Sequence, residues 1–302
     1  MSDTTTPIAG LHHVTAISGP PQPNVDFYIR DMGQRLVKKT VNFDAPDVWH
    51  LYYGDQQAAP GSILTFFPFV GARAGRAGPG MASAFAYGVS PAAFDSWAAR
   101  LQGRTDARFG ARVLELADPD GLQVELIEDT TASAQPGAFH SATLWLENPE
   151  PTARLLIDGF GYAEAGSERG AGGERLRLEL PNAGAGRVID LWRANSPAQG
   201  APGAGTIHHI AFRARDDAHQ DDLRERLIGL GMQVTPRIDR QYFNAIYFRE
   251  PGGVLFEVAT DPPGFDVDEP MADLGTALKL PPQYELRRAQ IESALPPFTV
   301  PA

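Results

Sequence analysis

The chain repeats one arrangement of apolar and polar residues four times, and this repetition limits the folds open to it. Leu11-His12-His13-Val14 near the start returns as Ile207-His208-His209-Ile210. Pro119-Asp120-Gly121-Leu122-Gln123-Val124-Glu125 returns as Pro251-Gly252-Gly253-Val254-Leu255-Phe256-Glu257. Each copy reads as a strand, an amphipathic helix and then three strands, because the apolar period changes from two residues to between three and four and back again. The copies recur every 60–70 residues or so, longer than a solenoid repeat, so each is an α+β unit of its own.

In the first copy GLHHVTAI is the opening strand, PNVDFYIRDM the helix, and RLVKKTVNF, VWHLYYGD and SILTFFPF the later strands. The second runs from SAFAYGV through the helix PAAFDSWAARL to LQVELIED, and the third from HSATLWL through PTARLLIDGFG to RVIDLWR. The fourth runs from IHHIAFRA through a helix around AHQDDLRERLIGLG to NAIYFRE and VLFEVAT. The expected fold is therefore α+β: four βαβββ modules at 8–70, 82–131, 138–195 and 206–262, paired into two curved-sheet cups, with a helix-bearing tail at 263–302. The segments GARAGRAGPG (71–80) and NSPAQGAPGAG (195–205) read as linkers between modules.

Composition narrows the chemistry. A net charge of −11 disfavours nucleic acid and anionic membrane as partners, since both demand a basic face. No apolar run reaches the length of a membrane-spanning helix, and MSDTTTPIAG lacks the charged and apolar regions of a secretory signal, so the cytoplasm is the expected location. With no cysteine, thiolate ligands, disulfides and cysteine nucleophiles are excluded together. A bound metal would need His and carboxylate ligands, a set suited to Fe(II), Mn(II), Ni(II) or Zn(II).

Four of the seven histidines fall in the two His-His pairs. Side chains alternate along a strand, so one histidine of each pair faces a cavity and the other faces away. If the first and fourth modules share a sheet, pseudo-two-fold symmetry brings one histidine from each to a common axis. Glu257 ends the apolar run Val254-Leu255-Phe256, which reads as buried strand, and a buried carboxylate needs a partner. Two histidines and one carboxylate on one face of an ion is the arrangement of non-haem Fe(II) oxygenases, with three positions left open. The other modules lack the histidine: Phe85 and Ser141 (after His140) stand at the ligand position, while Glu125 and Asp190 keep the carboxylate and read as salt-bridged structural groups. His50 and His219 show no partner in sequence and read as structural or solvated.

The stretches GLHHVTAI, RLVKKTVNFDAPDVWHLYYGD, GSILTFFPF, TIHHIAF, DRQYFNAIYFREPGGVLFEVATDPPGF and LKLPPQYE resemble the vicinal-oxygen-chelate superfamily, and within it the ring-cleaving branch that includes the hydroquinone 1,2-dioxygenases. The resemblance covers nearly the whole chain. It implies iron at the second histidine of each pair and at the final glutamate, which are His13, His209 and Glu257, with O2 as co-substrate and Mn(II) as an alternative metal. It further implies His208, Tyr247 and Arg240 as catalytic groups and His12 and Thr15 as substrate-binding ones; Thr15 shares a strand face with His13. The implied reaction is extradiol-type cleavage of a hydroquinone or related small aromatic diol, by a chain for which a homodimer is the default. Two rivals are a glyoxalase-like lyase or isomerase and a metal-free small-molecule binding protein. Glyoxalases of this superfamily use a second carboxylate, and its place in the first module falls near Phe66, which favours the dioxygenase.

Overall fold

A computed structural model of the chain describes residues 6–301 except 171, 182 and 196. The first module holds β1 (Leu11–Ser18), a short helix α1 (Pro21–Val25) that continues as a π-helical turn (Asp26–Asp31), β2 (Arg35–Asn42), β3 (Ala45–Gly54) and β4 (Ile63–Pro68). The second holds β5 (Met81–Val89), α2 (Pro91–Leu101), β6 (Arg104–Arg108), β7 (Ala111–Ala117) and β8 (Gln123–Glu128). The third holds β9 (Phe139–Trp145), α3 (Pro149–Phe160), β10 (Ala163–Gly170), β11 (Gly173–Glu179) and β12 (Val188–Ala194). The fourth holds β13 (Thr206–Ala214), α4 (Asp217–Gly229), the two-residue β14 (Ile238–Asp239), β15 (Phe243–Arg249) and β16 (Leu255–Pro263), and α5 (Arg288–Ala294) lies in the tail. No helix of the described residues is long and apolar enough to cross a membrane.

Modules one and four form an eight-stranded sheet in the order β14-β15-β16-β13-β1-β4-β3-β2, and modules two and three form another in the order β10-β11-β12-β9-β5-β8-β7-β6. The expected α+β architecture of two curved sheets is the one observed. At the centre of the first sheet β1 and β13 run antiparallel, with Val14 opposite Ile210. Leu11 pairs with Phe212 and Ala16 with Ile207, so the pair Val14–Ile210 marks a local two-fold axis. One residue on each strand is left out of register: His12 on β1 and His208 on β13. These matched β-bulges each let two residues oppose one, which turns the flanking side chains away from simple alternation. The second sheet repeats the device around Phe85–Ala142, with bulges at Ser83 and His140.

Alternation elsewhere sorts the first sheet cleanly. Val14, Leu51, Tyr53, Phe66, Ile210, Phe212, Ile246, Phe248 and Phe256 join the main core, together with residues of α3, α4 and the second sheet. The opposite face carries His13, Thr15, His50, Tyr52, His209, Tyr247 and Glu257. The helices have local reasons to start and stop where they do. Asn148 accepts a bond from Glu150 N at the start of α3 with Pro149 at its first turn, and Gly161 ends it in the left-handed region at φ 84°. Asp216 caps α4 by accepting from His219 N.

The two glycine-rich segments are not free linkers. Ala74 bridges Ala204 and Arg76 bridges Ala201, so the segments pair with each other. A Cβ on Gly78 would lie 2.3 Å from Gly200 N, which explains why glycine is needed where the two backbones touch. The tail packs behind the first sheet: Leu280, Ile291 and Leu295 cluster with Val41, and Trp49 donates to Pro296 O at 2.8 Å. It braces the hairpin of β2 and β3.

Where the first module meets the second, Tyr28 Oη donates to Asp118 Oδ2 at 3.2 Å, while Oδ1 accepts from Asp120 N and Leu122 N. Burial pushes the Asp118 carboxyl up to about 6. A carboxyl raised on folding binds more protons folded than unfolded between these pKa values, so its stabilising contribution is present at low pH and lost as pH rises through 6. We predict that wild-type stability falls by about 3 kcal/mol from this group between pH 3.5 and 6.5, a two-unit shift at 1.36 kcal/mol per unit. Asp118→Asn, which keeps the Oδ1 acceptor, should lack that component; urea midpoints across the range check it, and identical pH slopes in the two proteins would contradict it.

Candidate metal centre

His13 and His209 come from the two central strands, and Glu257 comes from β16 beside β13, where it lies level with Ala211. Their arrangement is compact. His13 Nε2 lies 3.2 Å from His209 Nε2 and 3.4 Å from Glu257 Oε2, and His209 Nε2 lies 2.9 Å from the same oxygen. Among the described residues this is the group of His and carboxylate side chains close enough to share one ion. An ion with bonds of about 2.1 Å holds neighbouring octahedral donors about 3 Å apart, so the three spacings suit one face of such an ion.

Glu257 is fully buried and neither carboxylate oxygen has a hydrogen-bond partner. Burial alone would raise its pKa, but His13 and His209 outweigh this and hold the carboxyl well below the usual range. Burial in turn keeps His209 lowered, toward the neutral imidazole a metal requires. A buried carboxylate without a hydrogen-bond partner, set against two imidazole Nε2 atoms, is a donor set that fits a divalent cation.

The bulges settle what each pair does. His13 Nδ1 lies 2.9 Å from His12 Nδ1, and His209 Nδ1 lies 2.8 Å from His208 Nδ1. The second histidine of each pair thus aims Nε2 at the centre while its Nδ1 rests on its neighbour. His208 borders the cavity, partly exposed, with burial and then His209 pushing it down to about 4, so it is neutral there. His12 does not: it is 1% exposed, packs against Phe243 with ring centroids 5.2 Å apart, and stands behind the cavity wall. His12 thus stands beside His13 rather than on the cavity wall, where the resemblance implied a substrate contact.

In front of the three side chains is a cavity of about 440 Å3, large enough for a small aromatic ring. Ile17, Phe67, Phe69, Phe243 and Leu255 supply apolar wall, and Thr15, His50, Tyr52, Arg240 and Tyr247 supply polar groups. Arg240 Nε donates to Tyr247 Oη at 3.0 Å. Burial, then Glu257, pushes the Tyr247 phenol well above its ordinary value, so it keeps its proton. His219 lies in the first turn of α4, where its backbone N–H donates to the cap Asp216 and its Nδ1 accepts from Arg215 N, away from the centre, as a structural residue. His50 is different: it borders the cavity rather than packing elsewhere. The spacing of His50 and Tyr52, two apart on β3, already placed them on one face, and a face assignment for β3 was the signal to follow.

Strand register also corrects two equivalences. Thr15 pairs with Thr65 as Ala211 pairs with Glu257, so the counterpart of Glu257 in the first module is Thr65, while Phe66 points into the core. In the second module the counterpart of His13 is Ala84, opposite Thr143, not Phe85. Both slips are of one residue, which in a strand exchanges the faces. Glu125 and Asp190 do occupy the carboxylate position of the second cup, and arginines answer them. Arg108 bonds Glu125 at 2.6 and 2.9 Å, and Arg177 bonds Asp190 at 2.8 and 2.9 Å.

Comparison with known proteins shows the family to which the chain belongs. Residues 140–258 match the family model of the Glyoxalase/Bleomycin resistance protein/Dioxygenase superfamily. A Bacillus subtilis (strain 168) protein named "putative ring-cleaving dioxygenase MhqO" is 45% identical over 96% of this chain and 97% of its own. The chain belongs to this superfamily. Chlorohydroquinone/hydroquinone 1,2-dioxygenase of Sphingobium indicum is 35% identical, covering 92% of this chain and 93% of that protein. A solved Bacillus subtilis structure titled a "putative dioxygenase" superposes with a TM-score of 0.92 at 43% identity, covering 98% of this chain and 99% of that one. Glyoxalase I from Zea mays shares the superfamily fold, with a TM-score of 0.64 at 14% identity, covering 83% of this chain and 92% of that chain.

Because burial of the Glu257 charge and the pull of His13 and His209 on it oppose each other while the site is metal-free, Glu257→Gln should lose metal retention yet leave the metal-free protein within about 1–2 kcal/mol of wild type. Metal analysis beside urea denaturation of the metal-free proteins checks both halves. Full metal retention, or a loss of several kcal/mol in the metal-free state, would contradict this account of the site.

Proposed function

We propose that this protein is an Fe(II)-dependent ring-cleaving dioxygenase of the extradiol type, acting on a hydroquinone or a related aromatic diol. The observation that carries the reading is the His13–His209–Glu257 face opening onto an apolar, ring-sized cavity. Three protein donors leave coordination positions for a substrate oxygen and O2. When bound, Fe(II) links the electron-rich ring to O2 electronically. One metal charge of two, less one carboxylate, leaves room for a singly ionised diol at neutrality. The names of the ring-cleaving relatives support the substrate class.

The chain's own residues orient and protonate. The guanidinium of Arg240 lies beside the Tyr247 oxygen and lowers the cost of negative charge near it. Tyr247 accepts from Arg240 and so keeps its own hydrogen free to donate to an oxygen in the cavity. With His209 holding the ion through Nε2, its Nδ1–H would donate to His208 Nδ1, so His208 presents its own Nε2–H as a donor at the cavity wall. Phe243, its ring 5.0 Å from that of His13, and Phe67 cover the site and exclude water. A glyoxalase-like lyase is disfavoured because Thr65 stands where a second carboxylate would be needed.

Tyr247→Phe should keep its iron, since Tyr247 is outside the three donors, but lose about 10²–10⁴-fold in turnover. Iron content and O2 uptake with hydroquinone, methylhydroquinone and catechol test this after anaerobic loading with Fe(II). Product formed at an undiminished rate under argon would refute a dioxygenase, and unchanged turnover in Tyr247→Phe would remove the tyrosine from the mechanism.

A further inference from the structure

His50, Tyr52 and Thr65 take no part in the steps above, yet they form a continuous polar strip with Thr15. Tyr52 Oη lies 2.9 Å from His50 Nδ1, His50 Nε2 lies 2.9 Å from Thr65 Oγ1, and Thr65 Oγ1 lies 2.8 Å from Thr15 Oγ1. Tyr52, Thr65 and Thr15 are at most 1% exposed. Thr15, His50 and Tyr52 border the cavity, while Thr65 lies behind it as the link.

Hydrogen counting gives this strip a property that no single member has. A tyrosine, a neutral imidazole and two threonines bring one hydrogen each, four in all. The three bonds use three of them, and one is left over. A neutral imidazole has one N–H and one bare nitrogen, so the bond directions on its two sides are coupled. Either Tyr52 donates inward and the spare hydrogen emerges on Thr15, or the whole strip reverses and it emerges on Tyr52. The cavity is thus offered one donor at one end and one acceptor at the other, never two of a kind.

We infer that the Tyr52–His50–Thr65–Thr15 strip is a specificity-determining relay that selects a diol carrying one ionised oxygen and one intact hydroxyl. Thr15, on the same face as His13 and two residues along β1, donates to the ionised oxygen at the metal end. The intact hydroxyl donates to the bare oxygen of Tyr52 at the other end. Thr65 and His50 are positioning residues: Thr65 touches no ligand and acts by fixing the direction of the bonds through His50. This explains what replaces the second carboxylate in the first module, since Thr65 is the counterpart of Glu257. The inference rests on the diol reading of the cavity.

The test compares hydroquinone with 4-methoxyphenol, whose distal oxygen accepts but cannot donate. Affinities are measured calorimetrically under argon on the Fe(II)-loaded protein, so no turnover contributes. Wild type should bind hydroquinone about tenfold more tightly, the worth of one hydrogen bond. That ratio should fall toward one in Tyr52→Phe and also in Thr65→Val, an isosteric change that leaves the cavity wall intact, with iron content unchanged in both. Equal binding of the two probes by wild type, or a tenfold preference that survives Thr65→Val, would overturn the relay. Absence of O2 uptake by wild type with every diol would instead remove the dioxygenase reading, and the binding ratio would still judge the relay.

Discussion

The carboxylate of Glu257 is the constraint on which the site depends. It is buried, unbonded on both oxygens and held against two imidazoles, an arrangement that an apolar core would reject unless a cation completes it. The fold meets that demand by symmetry. Antiparallel pairing of β1 with β13 about Val14–Ile210 brings His13 and His209 together, and β16 lays Glu257 alongside. The paired bulges then place His12 beside His13 and His208 beside His209, so the ring nitrogens away from the centre also find partners.

The second cup shows what the same scaffold becomes without the histidines. Ala84 and Ser141 stand at the ligand positions, and the two remaining carboxylates, Glu125 and Asp190, are each clasped by an arginine through two bonds. The guanidinium groups supply the positive charge and the donors that a metal would otherwise bring. One duplicated architecture thus solves the problem of a buried carboxylate twice, once with an open coordination face and once with a closed ion-pair network. The first opens onto the cavity of about 440 Å3.

Much of this was legible in the residues. The repeat of His-His and of the Glu257 strand announced the duplicated sheet, because both are short, polar in an apolar setting and spaced at matching points of the modules. Periodicity also placed a helix after the opening strand of each module, as at α2, α3 and α4. The misses share a physical origin. A strand has a period of two, so an error of one residue turns a cavity residue into a core residue, and this is what exchanged Thr65 with Phe66 and Ala84 with Phe85. Bulges add or remove one residue from that count and leave no mark in a single sequence; the substrate contact of His12 came from the resemblance, against the alternation that turns it away from His13. His50 lacked any repeat partner, and its role emerged only when β3 folded against β4 and brought it to Thr65.

The central claim is that the His13–His209–Glu257 face brings a diol and O2 together so that oxygen enters the ring. Isotope incorporation tests it most directly. The iron-loaded protein would be given hydroquinone under 18O2 and the product examined by mass spectrometry. The account predicts a ring-opened product in which both new oxygen atoms carry the label, apart from any exchanged with water afterwards. A ring-opened or rearranged product that carries no label would contradict it.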